Sequence, residues 1–288
     1  MCIRDRYGFS AAFRQPRTPD AASELFVRAQ ALREDEPGYE ADRLFAGPGV
    51  ERRFGDHLAG RVGAVVEWSR LLDSLDERPS RLDHTEGSIR LAYLDLGLRW
   101  VDLDDLLEPT RGFQFELAVQ PASRLLGSEV GFVRATAQAR AYLPLGPTVA
   151  AFRLKVGTAQ PFEGDANRDV PIFKRFFTGG STTIRGFDYH EIGPEDDDGE
   201  PVGGLSLLEG SAELRFPLYG MLGGVVFADA GRVGRGPFDM IGKLSASAGA
   251  GLRYQTPVGP LRLDVGHPLT DPGGADGIRV HFSIGHAF

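Results

Sequence analysis

The side chain with the clearest binding chemistry is an arginine in a glycine- and aromatic-rich stretch. Arg185 lies within "RFFTGGSTTIRGFDYHEIGP", residues 175–194, between Ile184 and Gly186. A guanidinium group is always charged, and its planar fork forms two parallel hydrogen bonds with one carboxylate. A partly desolvated arginine therefore needs an acidic partner. Gly179, Gly180 and Gly186 permit tight backbone turns beside a wall, although an ordinary flexible loop is the alternative.

Other residue types that could carry chemistry form no recognisable site. The carboxylates of Asp104 and Asp105 fit a solvated turn, and the acidic run "GPEDDDGE" at 193–200 lacks EF-hand ligand spacing. No G-x-S-x-G nucleophile motif is present. We therefore predict no enzyme activity, no cofactor and no metal. The histidines are scattered without metal-ligand spacing: His57, His84, His190, His267, His281 and His286.

The elements around the arginine stretch are short strands in which apolar and polar residues alternate. A period of two is typical of a strand with one apolar and one polar face. We count 13 such strands, and no segment shows convincing helical spacing, so the predicted fold class is all-β and antiparallel. The segment "GFQFELAVQ" shows the pattern, with apolar Phe113, Phe115, Leu117 and Val119 expected outward and Gln114 and Glu116 inward.

The two faces decide between a membrane barrel and a soluble β-sandwich, whose apolar faces would meet in a core. The apolar faces here are uniform, as lipid-facing walls are. No run of 18 apolar residues exists, which excludes a transmembrane helix, and the net charge of -8 without a basic stripe argues against a nucleic-acid surface. The polar face carries recurring charges: Arg28, Asp95, Glu116, Arg134, Arg140, Arg153, Lys155, Arg253, Arg262 and Asp264.

Connection lengths favour the transmembrane barrel. Short turns ("PLGP", "PLYG", "TPVGP") alternate with longer polar connections ("DSLDERPSRLDHTEG", "HPLTDPGGADG" and the arginine stretch). Outer-membrane barrels have short periplasmic turns on one rim and longer external loops on the other. The final strand carries Phe282 and Ile284 on one face and ends on Phe288, which resembles the C-terminal signal of outer-membrane strands. An ordinary amphipathic last strand is the alternative.

The N-terminus does not fit an outer-membrane protein. No apolar segment follows "MCIRDR", so no secretory signal peptide is visible. We interpret residues 1–6 as a non-native leader, and we expect the chain to begin within a longer gene. The single cysteine, Cys2, permits no internal disulfide.

Several motifs, in order, resemble one family. The stretch "FFTGGSTTIRGFDY" resembles the conserved loop of the BamA/TamA superfamily of outer-membrane assembly barrels, also called the bacterial surface antigen family, and "RGF" matches its signature triplet. The continuation "GFDYHEIGPEDDDGEPVGG" resembles the TamA branch most. Further segments resemble successive strands of the family: "EPTRGFQFEL", "ARAYLPL", "LLEGSAELRFPL", "VFADAGRV", "GLRYQTPVGPLRLDVGHPL" and "VHFSIGHAF".

The resemblance implies a 16-stranded barrel preceded by periplasmic POTRA domains. Since single-chain bacterial barrels have even strand numbers, the 13 visible strands would be the last 13 of 16. The expected domain is an N-terminally truncated barrel over 7–288, open between its first and last strands, with a long lumenal loop at about 161–203. The implied partners are the outer-membrane bilayer, client outer-membrane proteins and a periplasm-spanning TamB-like protein reached through POTRA domains.

The resemblance also gives Arg185 a place and partners. In the family this loop enters the lumen and its arginine meets acidic wall residues, which correspond here to Glu213 and Asp229. Strand parity supports a lumenal Glu213, whereas Asp229 shares its face with apolar Val225 and Phe227. The alternative is a flexible external arginine.

The implied function is insertion or translocation of outer-membrane or autotransporter proteins, of the TamA type. Two alternatives stay open, a passive pore and a barrel anchor for a fused secreted or patatin-like domain. A loop anchored in the lumen would obstruct a pore, and the region upstream of the strands would distinguish the anchor.

Overall fold

A computed structural model describes residues 6–73, 87–163, 170–256, 259–270, 277–285 and 287–288. Alternating apolar and polar residues form strands along nearly all of this part, and two short 3-10 turns, Arg124–Leu126 and Ile172–Lys174, interrupt the connections. The strands are β1 (Arg6–Pro16), β2 (Ser23–Glu36), β3 (Tyr39–Phe54), β4 (Leu58–Asp73), β5 (Gly87–Leu103), β6 (Gly112–Ala122), β7 (Gly131–Leu145), β8 (Thr148–Glu163), β9 (Ser206–Tyr219), β10 (Leu222–Gly234), β11 (Ser245–Tyr254), β12 (Leu261–Pro268) and β13 (Arg279–Ile284).

The strands form one sheet in sequence order, and each pair of neighbours is antiparallel. Strands β1 and β13 are its two edges, and within the described ranges no ladder joins them. The predicted all-β antiparallel architecture is confirmed, and the sheet is open as expected. No helix in the described part of the chain is long and apolar enough to cross a membrane.

Strand β1 begins at the last residue of the interpreted leader, residues 1–6. Arg6 is the first residue of β1 and pairs with Glu34 of β2. Residues 1–5, the rest of that leader, lie outside the described residues.

The two faces of the sheet have opposite chemistry. Phe113 is 42% exposed on the outside, whereas its neighbour Gln114 is only 7% exposed and faces the lumen. The outward face presents large apolar side chains, and the inward face buries charged ones. A soluble sandwich buries its apolar side chains and exposes its charged ones. The arrangement seen here is therefore that of a membrane-barrel wall. Buried lumenal residues include Glu67, Asp95, Arg153, Glu209, Glu213, Asp229 and Asp264.

Connections of different lengths lie on opposite rims. Because consecutive strands are antiparallel, the short connections 146–147, 220–221 and 255–260 share one rim, and the long connection 164–205 leaves from the other. Gly146 and Gly220 adopt positive φ values of 67° and 56°, which make these turns tight. The rims thus have the asymmetry typical of outer-membrane barrels.

The long connection between β8 and β9 fills the lumen near its own rim. Its residues Val170, Phe176 and Leu205 pack with Leu91 and Phe132 of the wall in one apolar cluster. Strand β8 ends at Glu163 and β9 begins at Ser206, whereas the sequence predicted a loop at about 161–203. We refer to 170–205, its described part, as the lumenal loop.

Candidate functional site

The tip of the lumenal loop is shaped by glycines and short backbone pairings. Phe176 pairs with Gly204, and Thr178 pairs with Ile192, so the loop returns as a narrow hairpin. Gly179 and Gly180 adopt φ values of 111° and 103°, a left-handed region that side chains rarely enter. The turn that follows brings the next residues against the wall formed by β9 to β12.

Arg185 is fully buried there, at 0% exposure, and contacts both carboxylates expected from the sequence. Its Nε and Nη2 donate to Asp229 Oδ2 and Oδ1, each at 2.8 Å, and its Nη1 donates to Glu213 Oε1 at 2.5 Å. Its backbone N–H also donates to Asp229 Oδ2 at 3.1 Å. Asp229 therefore accepts a bidentate pair of hydrogen bonds from the guanidinium group, and Glu213 accepts one from the remaining nitrogen. We call Arg185, Glu213 and Asp229 the arginine clasp.

An apolar residue, Phe227, faces the lumen on β10 because it packs beneath the clasp. Phe227 shares the lumenal face with Asp229, and its ring lies 3.5 Å from the guanidinium carbon of Arg185. A desolvated cation over an aromatic face gains about 2 kcal/mol or more. Phe227 thus faces inward because it forms the floor for the arginine.

Further charges surround the clasp, and their sum keeps the arginine ionised. Burial lowers the pKa of Arg185, but the hydrogen bonds that Arg185 donates to Asp229, together with the charges of Asp229, Glu213 and Asp264, outweigh burial and raise it. Asp264 Oδ2 lies 3.6 Å from Arg185 Nη1. The cluster is therefore fixed electrostatically as well as by direct bonds. Arginines of the wall contact the same carboxylates: Arg215 contacts Glu213, and Arg253 and Arg262 contact Asp264.

The two residues after Arg185 have separate packing roles. A Cβ atom on Gly186 would lie 2.4 Å from Ser247 Cβ and 2.8 Å from the backbone nitrogen of Pro268, so no side chain fits. Phe187 is fully buried and clusters with Ile184 and Ile192. The triplet "RGF" thus combines a charged contact, a close backbone approach and an apolar plug.

A second anchor at the start of the loop was missed by the sequence analysis. Lys174 Nζ donates to Glu67 Oε2 of β4 at 2.6 Å, and Tyr93 OH donates to the same oxygen at 3.2 Å. Arg43 Nη2 donates to Glu67 Oε1 at 2.7 Å. Burial lowers the pKa of Lys174 to about 8, against the opposing charge of Glu67. Alternation places Glu67 inward between Val66 and Trp68, but it cannot select a partner 107 residues away.

Between these two anchors, the lumenal loop also contacts side chains of β8 and β9. Thr178 Oγ1 donates to Glu209 Oε1 at 2.6 Å, and Arg153 Nη1 donates to the Thr182 carbonyl at 2.9 Å. Arg153 Nη2 lies 3.5 Å from Glu209 Oε2. The loop is therefore held to the wall along its length.

The three residues of the expected C-terminal signal do not share one face. Phe282 and Ile284 are exposed on the outside of β13. Strand β13 ends at Ile284, and Phe288 turns into the lumen, where its carbonyl accepts a hydrogen bond from Tyr142 OH at 3.4 Å. The ring of Phe288 lies 5.6 Å from the guanidinium carbon of Arg153 and 5.5 Å from that of Arg215. Phe288 thus lies beside wall cations beyond the end of β13, whereas the sequence predicted a final strand that ends on this residue.

Asp196 of the acidic run stabilises a turn through backbone hydrogen bonds. Asp196 Oδ1 accepts the backbone N–H groups of Asp198 and Glu200 at 3.0 and 2.8 Å, which explains part of the run "GPEDDDGE". Across the residues with described positions, no group of three or more His, Cys, Asp or Glu side chains could hold a metal ion.

The fold and the lumenal loop agree with the family comparison. The Omp85 superfamily domain matches residues 4–288. The chain belongs to the Omp85 superfamily. It is 26% identical over 296 residues to "Outer membrane protein assembly factor BamA" of Nitratidesulfovibrio vulgaris, covering 98% of this chain and 36% of that protein. It is 28% identical over 246 residues to the protein of the same name from Neisseria meningitidis, covering 72% of this chain and 30% of the relative.

A solved structure supports the fold independently. The crystal structure of BamA from Haemophilus ducreyi lacking POTRA domains 1-3 superposes with a TM-score of 0.83 at 19% identity. The match covers 96% of this chain and 61% of that one. The chain spans about a third of the length of the two BamA relatives from Nitratidesulfovibrio vulgaris and Neisseria meningitidis. It is an outer-membrane protein, and its relatives are named as assembly factors, which agrees with the prediction that it is not an enzyme.

Proposed function

We propose that this chain is the barrel of an outer-membrane insertion or translocation factor. The observation that carries the proposal is a buried lumenal loop that the arginine clasp fastens to the inner face of the sheet. The names of its relatives, outer-membrane assembly factors, support the same activity.

The proposed mechanism uses an edge strand of the sheet and needs no covalent chemistry. An edge strand presents unpaired N–H and C=O groups, so it can template an incoming strand by β-augmentation. Strands β1 and β13 are the edges of this sheet. The clasp braces the wall strands while the edge is occupied. The partners are the bilayer and client outer-membrane proteins.

The occupied lumen argues against a passive pore. Loop residues pack with wall residues in an apolar cluster near the long-loop rim, so the loop occupies lumenal space that a solute would need. A cavity of about 760 Å³ lies toward the short-turn rim, lined by Arg61, Glu116, Gln138 and Lys155 among others.

A finer assignment is proposed on the sequence of the loop alone. The continuation after "RGF" resembles the TamA branch, which would make autotransporters the clients and a TamB-like periplasmic protein a partner reached through POTRA domains. The relatives described above are named BamA, so both branches share the proposed insertion chemistry. A barrel anchor for a secreted or patatin-like domain is the alternative that an upstream sequence would reveal.

Proteoliposomes of the purified protein test the proposal, with client insertion and small-solute efflux measured in the same preparation. We expect an unfolded outer-membrane client to insert faster than in protein-free vesicles, without added solute efflux. Vesicles containing an unrelated outer-membrane barrel are the control for nonspecific bilayer defects. Efflux without faster insertion would indicate a pore and refute the proposal.

A further inference from the structure

The edge strand β13 points two polar residues at the tip of the lumenal loop. Val280 and Phe282 are exposed on the outside of β13, so the alternating residues Arg279 and His281 face inward. Both inward residues reach the segment 185–191, which contains the clasp arginine.

His281 contacts the main chain of Arg185. Its Nε2 lies 2.9 Å from the Arg185 carbonyl oxygen. A carbonyl can only accept, so Nε2 is the donor. The neighbouring strand leaves room for this contact because Gly266 of β12 lies against the same carbonyl, and a Cβ there would approach its oxygen to 2.4 Å. One residue thus joins β9 and β10 through its side chain and β13 through its backbone.

Arg279 contacts the acidic side chains just beyond the clasp. Its Nε lies 3.0 Å from Asp188 Oδ1, and its Nη2 lies 3.9 Å from Glu191 Oε1. Asp188 is two-thirds exposed, so this pair is at the lumenal surface and weaker than the clasp. The contact adds a second link between the same loop segment and the same strand.

These links matter because β13 lies at the edge of the sheet in the described part of the chain. Among the described residues it has six, and its ladder runs along one side, with β12. A short edge strand lacks half of the ladder bonds of an inner strand. Contacts from its lumenal face therefore add to what fixes its position.

We propose that Arg279 and His281 are positioning residues that couple the tip of the lumenal loop to the edge of the sheet. Movement of the loop then shifts β13, and displacement of β13 by an incoming strand pulls on the Arg185 backbone. This coupling goes beyond the proposed function, because it concerns how two parts of the barrel move together and is measured without a client.

The test changes the loop and reads the strand. In Asp188→Asn/Glu191→Gln of the full chain in nanodiscs, amide hydrogen exchange is followed at the β13 amides bonded to β12. We expect exchange about two- to fivefold faster than in the parent, the range for losing a surface ion pair. Asp197→Asn/Asp198→Asn removes the same charge from the same loop and serves as the matched control. Equal β13 exchange in both double variants overturns the coupling.

The histidine link is tested separately, with rescue by a conservative change. We expect His281→Ala to accelerate exchange at both β13 and the loop tip 185–188 by about two- to tenfold, the range for one net hydrogen bond. His281→Gln keeps a donor and should recover part of the protection. If His281→Ala unfolds, the charge exchange Asp188→Arg/Arg279→Asp tests the coupling through the ion pair instead. Protection of β13 equal to that of the parent supports the coupling, and lower protection refutes it.

Discussion

Removing the clasp arginine should destabilise the barrel, and the structure sets the size of the effect. In Arg185→Ala, Asp229 loses two side-chain hydrogen bonds of 2.8 Å, and Phe227 loses the cation above its ring. Glu213 keeps Arg215 at 2.8 Å, so most of the loss falls on Asp229. Leaving one partner of a buried ion pair uncompensated costs about 3–5 kcal/mol.

This cost should be visible as a lower melting temperature. For a domain of this size, 3–5 kcal/mol corresponds to a decrease on the order of 10 °C. Arg185→Lys should recover only part of it, because lysine keeps the charge but lacks the planar fork that Asp229 receives. Arg111→Ala, an exposed arginine in the turn before β6, is the matched control and should melt like the parent.

The assay is heat-modifiable gel mobility together with client insertion for the four proteins. We expect Arg185→Ala to fold at low temperature, since the strand ladders do not involve it, but to unfold earlier and insert clients more slowly. A variant that melts within about 1 °C of the parent would show that the clasp adds no net stability. Unchanged client insertion would refute its proposed role.

Three further outcomes are expected. Lys174→Met should lower the melting temperature, because it leaves Glu67 buried with one cation fewer, and thermal unfolding in detergent measures this. Gly186→Ala should cost about 1–3 kcal/mol by overpacking, measured by urea unfolding, whereas Gly236→Ala, with its nearest atom at 3.8 Å, should be silent. Hydrogen bonds from Thr110 and neighbouring N–H groups lower the pKa of Asp104 to about 2, so its stabilisation of the β5–β6 turn is present above pH ~4 and is lost as pH falls through about 2. Limited acid proteolysis of Asp104→Asn against the parent measures the last effect, and the two should converge below that pH.

Local patterns predicted the strands because a membrane barrel repeats one simple rule. Each strand alternates faces, so Phe113 and Gln114 could be assigned to lipid and lumen without knowing any neighbour. The same rule placed Glu213 inward. It was ambiguous for Asp229 because apolar Phe227 also faces inward, where it supports a cation that comes from a loop 42 residues earlier in the chain.

Long-range pairs in the lumen could not be predicted in this way. Glu67 and Lys174 are each unremarkable in sequence, and only the curvature of the sheet brings them together. The position of Phe288 was also beyond strand parity, because the strand ends four residues earlier and cations on other strands fix the ring.

The two anchors of the lumenal loop also impose an order on assembly of the barrel itself. Lys174 pairs with a strand that precedes the loop, while Arg185 pairs with a strand that follows it, at separations of 107 and 44 residues. Contacts that close such long chain segments form late, since their entropy must be lost before they contribute. The clasp is therefore expected to be absent from the folding transition state, so that it slows unfolding of the finished barrel more than it speeds folding.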